Sequence, residues 1–559
     1  MTKLLSLTLG ALIALSAHAQ TFTESGFVIE SHFVGGVQRP ICFEFLHEDR
    51  ISDVLVGEWL TGKVKWVQNG TVVATVLDVN VSNVAERGFL GMVKSPDFDE
   101  TGHLYVYYSH ADVDGGTWTD NRVERYTWNG AQLVNPTLIL SFPLDPSQIL
   151  ADRHNSGPMV FGPDGKLYGM CGDMHRGRFS NPRIEQNTST TAVAGTGGIF
   201  RLNPDGSIPA DNPWVSHPHP SIQRLYAYGL RNTFGIQFDP LTGHLWMTDN
   251  GPSVYDEVNL VRKGYNGGWL KIMGPDSRDA SYGENNLRVF NASDLTYLPG
   301  AYYEDPKFSF LIPIGITTIC FVRSARFEPN LRDHTLIGQS NGNGRQYKLL
   351  MNEARDGFVL SGVLEDTVAD TNAEGDTIAF LNSGSAPTDC KIGPDGNIYT
   401  TALWIERIWR IRPQNPPTVL NGRAKLSNWT PYPLGVPLTL KLMNGNTTVE
   451  TIDTTLDAYG KFSVRVQTPG SYSVVAKAGT WLSKRQNSVS LSNGGWAYLR
   501  FNMDVNGDVN GDNIIDDSDL AQLLTDFGTE ESASDLNGDG IVDDTDLALL
   551  LENFGLSGE

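Results

Sequence analysis

Alternating apolar and polar residues recur in pairs along the first three quarters of the chain. Each pair consists of an apolar stretch, a turn rich in Pro, Asp and Gly, and a second apolar stretch, as in "GPMVFGPDGKLYGMCGD". Alternation with a period of two predicts β-strands, and an Asp-Gly turn predicts a tight reversal between them. Six copies lie between Ile41 and Pro413, beginning at Ile41, Gly88, Gly157, Phe234, Thr317 and Pro387.

The spacing of these copies predicts the architecture. Successive copies begin roughly 50 to 80 residues apart, which leaves room for two more strands in each unit. Six four-stranded units in a ring form a six-bladed β-propeller, which we predict for residues 20–413. The irregular spacing and the weak helical periodicity argue against a stacked solenoid.

A second all-β segment follows the repeats. Residues 421–502 contain "PLTLKLM", "KFSVRVQ", "SYSVVAKA" and "WAYLRFNM", separated by turns. This pattern predicts a small antiparallel β-sandwich over residues 414–502. Its sequence shows no constellation of titratable residues, so we expect a structural or adhesive role.

The C-terminal segment repeats one twelve-residue loop, as "DVNGDNIIDDSD" and "DLNGDGIVDDTD". Oxygen side chains at positions 1, 3, 5, 9 and 12, with a backbone carbonyl at position 7, can surround a hard cation such as calcium. The predicted ligands are Asp508, Asn510, Asp512, Ile514, Asp516 and Asp519 in the first loop, and Asp535, Asn537, Asp539, Ile541, Asp543 and Asp546 in the second.

Two further features refine this calcium prediction. Asn513 and Gly540 stand at position 6, where the loop needs a left-handed bend that these residue types tolerate. Each loop leads into a short apolar helix, "LAQLLTDFG" or "LALLLENFG". Together these motifs resemble the type I dockerin family over residues 504–555. The resemblance implies a calcium-binding module (503–559), two calcium ions and a cohesin-like partner, chosen in part by Asp517, Ser518, Asp544 and Thr545.

The N-terminus and the composition point to export. Residues 1–19 combine Lys3, an apolar run and "AHA", which is typical of a cleaved secretory signal peptide. No later apolar run is long enough to span a membrane. The net charge of −22 disfavours nucleic acid as a partner. Four cysteines show no metal-binding spacing, and their disulfide pairing is left open.

Four motifs in the repeat region occur in a characteristic order. They are "ERGFLGMVKSPDF", "DRHNSGPMVFGPDGKLY", "GGIFRLNPDGSIPADNPW" and "AYGLRNTFGIQFDP", the last followed by "TDNGPSVYDEVNL". Together they resemble the soluble quinoprotein glucose/sorbosone dehydrogenase family from about Arg39 to Pro413. The resemblance implies a site on the propeller axis, where pyrroloquinoline quinone (PQQ) and calcium support hydride transfer from a sugar.

The resemblance also implies roles for single residues. His154 matches the base that takes the proton of the sugar hydroxyl, and an imidazole can accept a proton at neutral pH. Arg231 and Asn232 match a catalytic pair at the quinone oxygens, where negative charge develops. The implied cofactor-binding residues are Glu86, Asp173, Arg231, Asn232 and Asn250. The implied calcium residues are Gly251 and Pro252, through their carbonyls, and Asp256 and Glu257 at a second calcium.

The sequence departs from the family where PQQ carboxylates would be anchored. Asn341 stands where the family has a lysine, and Ala386 and Thr388 stand where it has arginines. Because charge-assisted hydrogen bonds contribute about 1.5–3 kcal/mol each, losing three would weaken quinone binding severely. Arg176, Arg178 and Arg345 lie in nearby loops and are candidates to compensate.

These departures leave two alternatives open. One is a non-catalytic propeller that binds a carbohydrate or a protein and has lost the quinone. A cationic wall opposite His154 would favour the dehydrogenase, and a neutral or acidic wall would favour the binding protein. The other alternative, a glycoside hydrolase, needs two carboxylates roughly 5 to 10 Å apart, and no motif indicates such a pair.

Overall fold

The computed structural model describes residues 20–33, 35–143, 153–174, 182–281, 290–342, 344–531 and 533–559. The predicted signal peptide, Arg176 and Arg178 therefore lie outside the described residues. Within the described ranges, no helix combines the length and apolar character needed to cross a membrane.

The described strands up to Pro413 form six sheets of four or five strands. The first two strands of the chain, β1 (Thr21–Phe22) and β2 (Phe27–Ser31), join the fifth and sixth sheets. Sheet one contains β3 (Pro40–Phe45), β4 (Asp53–Glu58), β5 (Lys63–Gln68) and β6 (Thr71–Asp78). Sheet two contains β7 (Phe89–Lys94), β8 (His103–Ala111), β9 (Trp118–Trp128) and β10 (Leu133–Pro143).

The next four sheets follow in chain order. Sheet three contains β11 (Met159–Phe161), β12 (Leu167–Cys171), β13 (Gly198–Leu202) and β14 (Leu225–Tyr228). Sheet four contains β15 (Ile236–Phe238), β16 (Leu245–Asp249), β17 (Asp256–Val261), β18 (Phe308–Phe310) and a later strand of the chain, β22 (Val368–Ala369). Sheet five contains β19 (Ile316–Phe321), β20 (His334–Gln339), β21 (Arg345–Leu350), β23 (Ala379–Asn382) and β1. Sheet six contains β24 (Cys390–Ile392), β25 (Ile398–Ala402), β26 (Arg407–Pro413) and β2.

The six sequence copies supply the first two strands of each sheet, as predicted. The first strand of every sheet contacts the first strand of the next, and sheet six returns to sheet one through β25 and β3. The amide of Phe43 donates to the Asp389 carboxylate (3.0 Å) across this closing contact. Neighbouring first strands lie very close to one another. A Cβ added to Gly91, in β7, would lie only 2.1 Å from the carbonyl oxygen of Gly157, which precedes β11.

Two more sheets follow residue 413 and pack face to face. One contains β27 (Val419–Leu426), β30 (Lys461–Arg465) and β33 (Trp496–Met503). The other contains β28 (Pro437–Asn444), β29 (Thr447–Thr455), β31 (Gly470–Ala478) and β32 (Lys484–Leu491). Alternate apolar residues of both sheets form one core, among them Leu440, Val474 and Phe501.

The sheet formed by β27, β30 and β33 faces the ring where the first strands end. Tyr459 donates its hydroxyl to the carbonyl of Phe161 (3.0 Å), and Arg465 donates to the carbonyl of Ala325 (3.1 Å). A cavity of about 420 Å³ lies in this interface. The starts of the first strands therefore form the opposite end of the axis.

Helices are short in the described part of the chain. The ring carries α1 (Phe98–Thr101), α2 (Pro220–Gln223) and α3 (Asn372–Asp376), and the C-terminal segment carries α4 (Asp517–Asp526) and α5 (Asp544–Glu552). The 3₁₀ turns are Ile184–Gln186, Asp276–Ser281, Ala292–Asp294, Ala325–Phe327, Gly362–Leu364 and Leu403–Ile405. Leu482, from the loop after β31, shares a core with Leu523 and Leu550 of the two C-terminal helices.

All four cysteines are buried, and none of them forms a disulfide bond. Cys42, Cys171, Cys320 and Cys390 each lie in the first or second strand of a sheet.

Candidate functional site

The family motifs meet at the end of the ring where the first strands begin. His154 precedes β11, Arg231 and Asn232 precede β15, and Glu86 precedes β7. Since all first strands start at this end, residues from distant parts of the sequence are brought together around the axis. The site is therefore built from the turns that enter the first strands.

His154 is held against a buried carboxylate. Its Nδ1 lies 2.6 Å from Oδ1 of Asp173, which follows β12. His154 is only 6% exposed, and Asp173 is 3% exposed. A carboxylate at this nitrogen favours the tautomer that carries the proton on Nδ1, which leaves Nε2 as the basic atom.

Two side chains hold the other oxygen of Asp173. The indole N–H of Trp269 donates to Oδ2 (2.8 Å), and the amide of Gln186 donates to the same atom (3.0 Å). Burial alone would raise the pKa of Asp173. The charge and hydrogen bond of His154, with Arg231 and Trp269, outweigh burial and hold this pKa well below its ordinary value. Asp173 is therefore ionised at neutral pH.

Glu86 ties the histidine segment to Asn232. Its Oε2 accepts the backbone N–H of His154 (2.7 Å) and the side-chain amide of Asn232 (3.1 Å). His154 has a φ of 59°, a left-handed conformation that costs energy for most non-glycine residues. The hydrogen bond from Glu86 helps to hold this conformation and so fixes the direction of the imidazole.

Arg231 lies beside the same network. Its guanidinium carbon stands 5.4 Å from the ring centre of Trp269, and its Nη1 donates to the carbonyl of Asn250 (2.8 Å). The backbone amides of Arg231 and Asn232 donate to the Asp249 carboxylate at 2.9 and 2.7 Å. Burial raises the pKa of Asp249 to about 6. The Nε of Arg231 is buried and has no hydrogen-bond partner among the described residues.

The predicted calcium residues of the ring form a tightly bonded turn. Asp256 accepts the amides of Gly251 (2.9 Å) and Ile316 (3.0 Å), and Glu257 accepts the amide of Gly274 (2.5 Å). Burial raises the pKa of Asp256 to about 6; burial and the charge of Asp249 raise that of Glu257 to about 8. The Asp256 carboxylate thus holds the Gly251-Pro252 turn by accepting the backbone N–H of Gly251.

Asn250 also has a structural role in this turn. Its side-chain amide donates to the carbonyls of Asn232 (3.0 Å) and Ile316 (2.7 Å). The turn is therefore joined to the starts of sheets four and five.

The walls from sheets five and six are neutral at the three substituted positions. Ala386 is buried in an apolar cluster, and the Thr388 hydroxyl donates to the carbonyl of Ile41 (2.8 Å). Asn341 is exposed, and Arg345 forms an ion pair with Asp376. Arg345, the one candidate replacement that lies within the described residues, is therefore already engaged by a carboxylate.

The two C-terminal loops have the same internal hydrogen bonds. Asp508 accepts the amides of Gly511 and Asn513, and Asp535 accepts those of Gly538 and Gly540, all at 2.8–2.9 Å. Asn513 and Gly540 adopt the left-handed conformation predicted at position 6, with φ of 73° and 97°.

The first loop also gathers three carboxylates at one point. Asp508, Asp512 and Asp519 bring ligand oxygens within 4.8 Å of one another, and Lys477 from β31 lies 2.9 Å from Asp508. Ile514 and Ile541, at position 7, are both 45% exposed. Asn510, Asp516, Asn537, Asp539, Asp543 and Asp546 take part in the repeated network through hydrogen bonds within the loops.

Comparison with known proteins establishes the family of the ring. The family model for glucose/sorbosone dehydrogenase matches residues 37–356, more than half of the chain. The chain belongs to the glucose/sorbosone dehydrogenase family. The predicted family assignment of the repeat region is confirmed, and so is its predominantly β, propeller-like fold.

Two relatives illustrate this family membership. The chain is 31% identical over 242 residues to quinoprotein glucose dehydrogenase B of Acinetobacter calcoaceticus, covering 40% of this chain and 49% of that protein. It is 26% identical over 315 residues to aldose sugar dehydrogenase YliI of Escherichia coli, covering 56% of this chain and 74% of that protein. The chain thus spans about half the length of the first of these relatives.

Structural similarity extends over about two thirds of the chain. The soluble aldose sugar dehydrogenase of Escherichia coli, in its apo form, superposes with a TM-score of 0.53 at 21% identity. The match covers 69% of this chain and all of that protein. At this identity the similarity supports the shared fold alone.

Sequence reasoning missed part of this family site. Trp269 and Gln186, which hold Asp173, and Asp249, which holds the Arg231-Asn232 backbone, were not among the predicted site residues. Trp269 follows "GYNGG" in the long connection between β17 and β18, and no spacing in the sequence links it to Asp173. Asp249 had a local signal, because it directly precedes the predicted Asn250-Gly251-Pro252 segment.

Proposed function

We propose that this protein is a secreted sugar dehydrogenase that oxidises an aldose or a related sugar and passes the hydride to PQQ. The observation that carries the proposal is the contact between His154 and the ionised Asp173 at the start of the first strands. Family membership supports the reaction class. Several relatives in this family are named as glucose or aldose sugar dehydrogenases.

Different residues of the site remove the proton and stabilise the charges that develop during the reaction. His154 takes the proton of the sugar's anomeric hydroxyl at Nε2, because its Nδ1–H is directed to Asp173. Asp173 stabilises the imidazolium that results. Arg231 and Asn232 are placed to donate hydrogen bonds where negative charge develops. When bound, PQQ supplies a two-electron acceptor for the hydride that leaves the sugar carbon.

The hydrogen-bond donors beside His154 suit the quinone oxygens of PQQ. Arg231 offers a cation and a buried Nε that lacks a partner among the described residues, so an acceptor oxygen from a ligand would satisfy it. Glu86, Asp173 and Asn250 position this set. Gly251 and Pro252 offer backbone carbonyls that would hold a calcium ion, with Asp256 and Glu257 supporting a second one. The neutral wall at Asn341, Ala386 and Thr388 predicts weaker cofactor affinity than a wall with three cations.

The remaining modules attach this activity to a larger assembly. We infer that the six sheets are the blades of a six-bladed propeller (20–413), followed by a β-sandwich (414–502) and a dockerin-like module (503–559). The repeated loop bonding supports two calcium sites in that module, and the loops would present a surface to a cohesin-like partner. The signal-like residues 1–19 support secretion, with cleavage near Ala19.

A dye-linked assay tests the proposed activity. The purified protein, supplied with PQQ and calcium, is expected to reduce an artificial electron acceptor when given one or more sugars from an aldose panel. Omission of PQQ is the control and should abolish the signal. Absence of dye reduction with every sugar, at PQQ concentrations shown to saturate the protein, would contradict the proposal.

Asp173→Asn is expected to lower kcat by about two orders of magnitude, within the range of general acid–base effects. An amide can present its N–H to Nδ1, which would move the imidazole proton to Nε2 and remove the base. The measurement is kcat with a saturating sugar, and Asp205→Asn, in an exposed turn, is the matched control. A kcat for Asp173→Asn close to that of the wild type would show that this carboxylate does not orient the histidine.

The neutral wall of sheets five and six favours a second candidate function. In this alternative the propeller binds a carbohydrate or a protein without catalysis. It predicts ligand binding with no dye reduction and no PQQ binding. The His154–Asp173 pair opposes it, because a binding protein has no need of a buried, ionised partner for an imidazole.

A further inference from the structure

One aromatic side chain at the catalytic end is unusually exposed. Trp404, in the 3₁₀ turn after β25, is 52% exposed and is the most exposed of the twelve tryptophans, all of which lie in the described ranges. Exposing an indole to water is unfavourable, and an indole that neighbouring side chains hold in place beside a site offers an apolar contact surface to a ligand.

The backbone places Trp404 at the same end of the ring as His154. The amide of Trp404 donates to the Ser385 hydroxyl (2.8 Å), and Leu403 donates to the carbonyl of Ala386 (3.0 Å). These partners directly precede β24, the first strand of sheet six. Trp404 therefore stands at the rim of the end where all first strands begin.

Neighbouring side chains hold the indole in place. The ring of Trp59, from the end of β4, packs against it edge-on, with centroids 6.1 Å apart and an angle of 75°. The guanidinium carbon of Arg39 lies 4.7 Å from the Trp404 ring centre, and its Nη1 donates to the Trp404 carbonyl (3.4 Å). The Arg39 cation over the indole and the edge-on ring of Trp59 fix the orientation of the exposed surface of Trp404.

The surface formed by Trp404 and Arg39 is chemically suited to bind a sugar ring. An indole face packs against the C–H groups of a pyranose, and an adjacent guanidinium can donate hydrogen bonds to hydroxyls. A stable protein interface buries about 800 Å² on each partner, far more than one indole and one guanidinium provide. We propose that Trp404, held by Trp59 and Arg39, is a carbohydrate subsite that binds a sugar unit adjacent to the reacting one.

This proposal deepens the proposed function and rests on it for the position of the reacting sugar. The anomeric hydroxyl that His154 would deprotonate belongs to the reducing end of a chain. A subsite at the rim therefore assigns the substrate class as oligosaccharides with a free reducing end, rather than free monosaccharides.

Calorimetric titration of the full-length, calcium-loaded protein without PQQ tests the subsite. The probes are cellotetraose, xylotetraose, mannotetraose and maltotetraose, each compared with its monosaccharide. At least one tetrasaccharide is expected to bind about tenfold more tightly than its monosaccharide, and Trp404→Ala should remove that difference. Trp404→Phe should retain part of it. Tyr297→Ala, another exposed aromatic on the ring, is the matched control and should bind like the wild type.

Two results would overturn the subsite. One is a Trp404→Ala variant that binds the preferred tetrasaccharide as tightly as the wild type. The other is a set of tetrasaccharides that bind no more tightly than monosaccharides. Trp404-dependent binding without dye reduction would support the subsite and count against the dehydrogenase. Failure of the subsite can therefore be distinguished from failure of the proposed activity. In an active enzyme, Trp404→Ala should raise KM for the tetrasaccharide about tenfold and leave kcat unchanged.

Discussion

Replacing His154 by asparagine is expected to lower kcat for sugar oxidation by about two to four orders of magnitude, the usual contribution of a general base. Asparagine is the appropriate replacement because it tolerates the left-handed backbone that His154 adopts at φ 59°. Its side chain cannot accept the hydroxyl proton, whereas the amide of residue 154 would still donate to Glu86. The measurement is single-turnover and steady-state dye reduction with the PQQ-loaded protein.

Two controls separate catalysis from folding in this experiment. The variant is expected to bind PQQ with nearly unchanged affinity, because His154 handles a proton rather than the carboxylates of the cofactor. His103→Asn, at the start of β8 on the opposite end of the ring, should leave kcat unchanged. A His154→Asn enzyme that retains most of its kcat would show that proton removal takes place elsewhere.

Removing calcium is expected to abolish the hydrogen-exchange protection of α4 and α5. In the first loop, Asp508, Asp512 and Asp519 bring ligand oxygens within 4.8 Å, and like charges at this separation repel strongly without a cation. Lys477 offsets part of this repulsion at Asp508. Among the described ion pairs none reaches the acids of the second loop, so α5 should lose more protection than α4 once calcium is removed.

Region-resolved exchange by mass spectrometry, with and without a calcium chelator, measures this effect. Excess calcium should restore protection in the wild type but not in an Asp508→Asn/Asp535→Asn variant. Asp517→Asn, at loop position 10 outside the predicted ligand set, is the matched control and should behave like the wild type. Full protection of both helices in excess chelator would show that packing around Leu482, rather than metal, stabilises the module.

The fold could be predicted because its repeat is local in sequence. Each strand-turn-strand copy became the first two strands of one sheet, since alternation and Asp-Gly turns act over a few residues. The same locality explains why His154, Arg231 and Glu86 meet. Each directly precedes a first strand, and all first strands begin at one end of the axis.

The supporting side chains could not be predicted in the same way. Trp269 and Gln186 reach Asp173 from long connections between strands, and the path of such a connection is set by tertiary packing. Trp404 follows the second strand of the sixth copy, but nothing in its sequence context indicates that its indole stands exposed at the rim. The loop bends at Asn513 and Gly540 were predicted, because they depend only on backbone preference.

Titration of the calcium-loaded, full-length protein with PQQ, followed by calorimetry, tests the central claim most directly. The account predicts saturable binding of one quinone per chain, weakened at least tenfold by Arg231→Met, which removes the cation and its buried Nε, an atom without a hydrogen-bond partner among the described residues. Binding that is absent, or that is unaffected by Arg231→Met, would contradict the assignment of a quinone site beside His154.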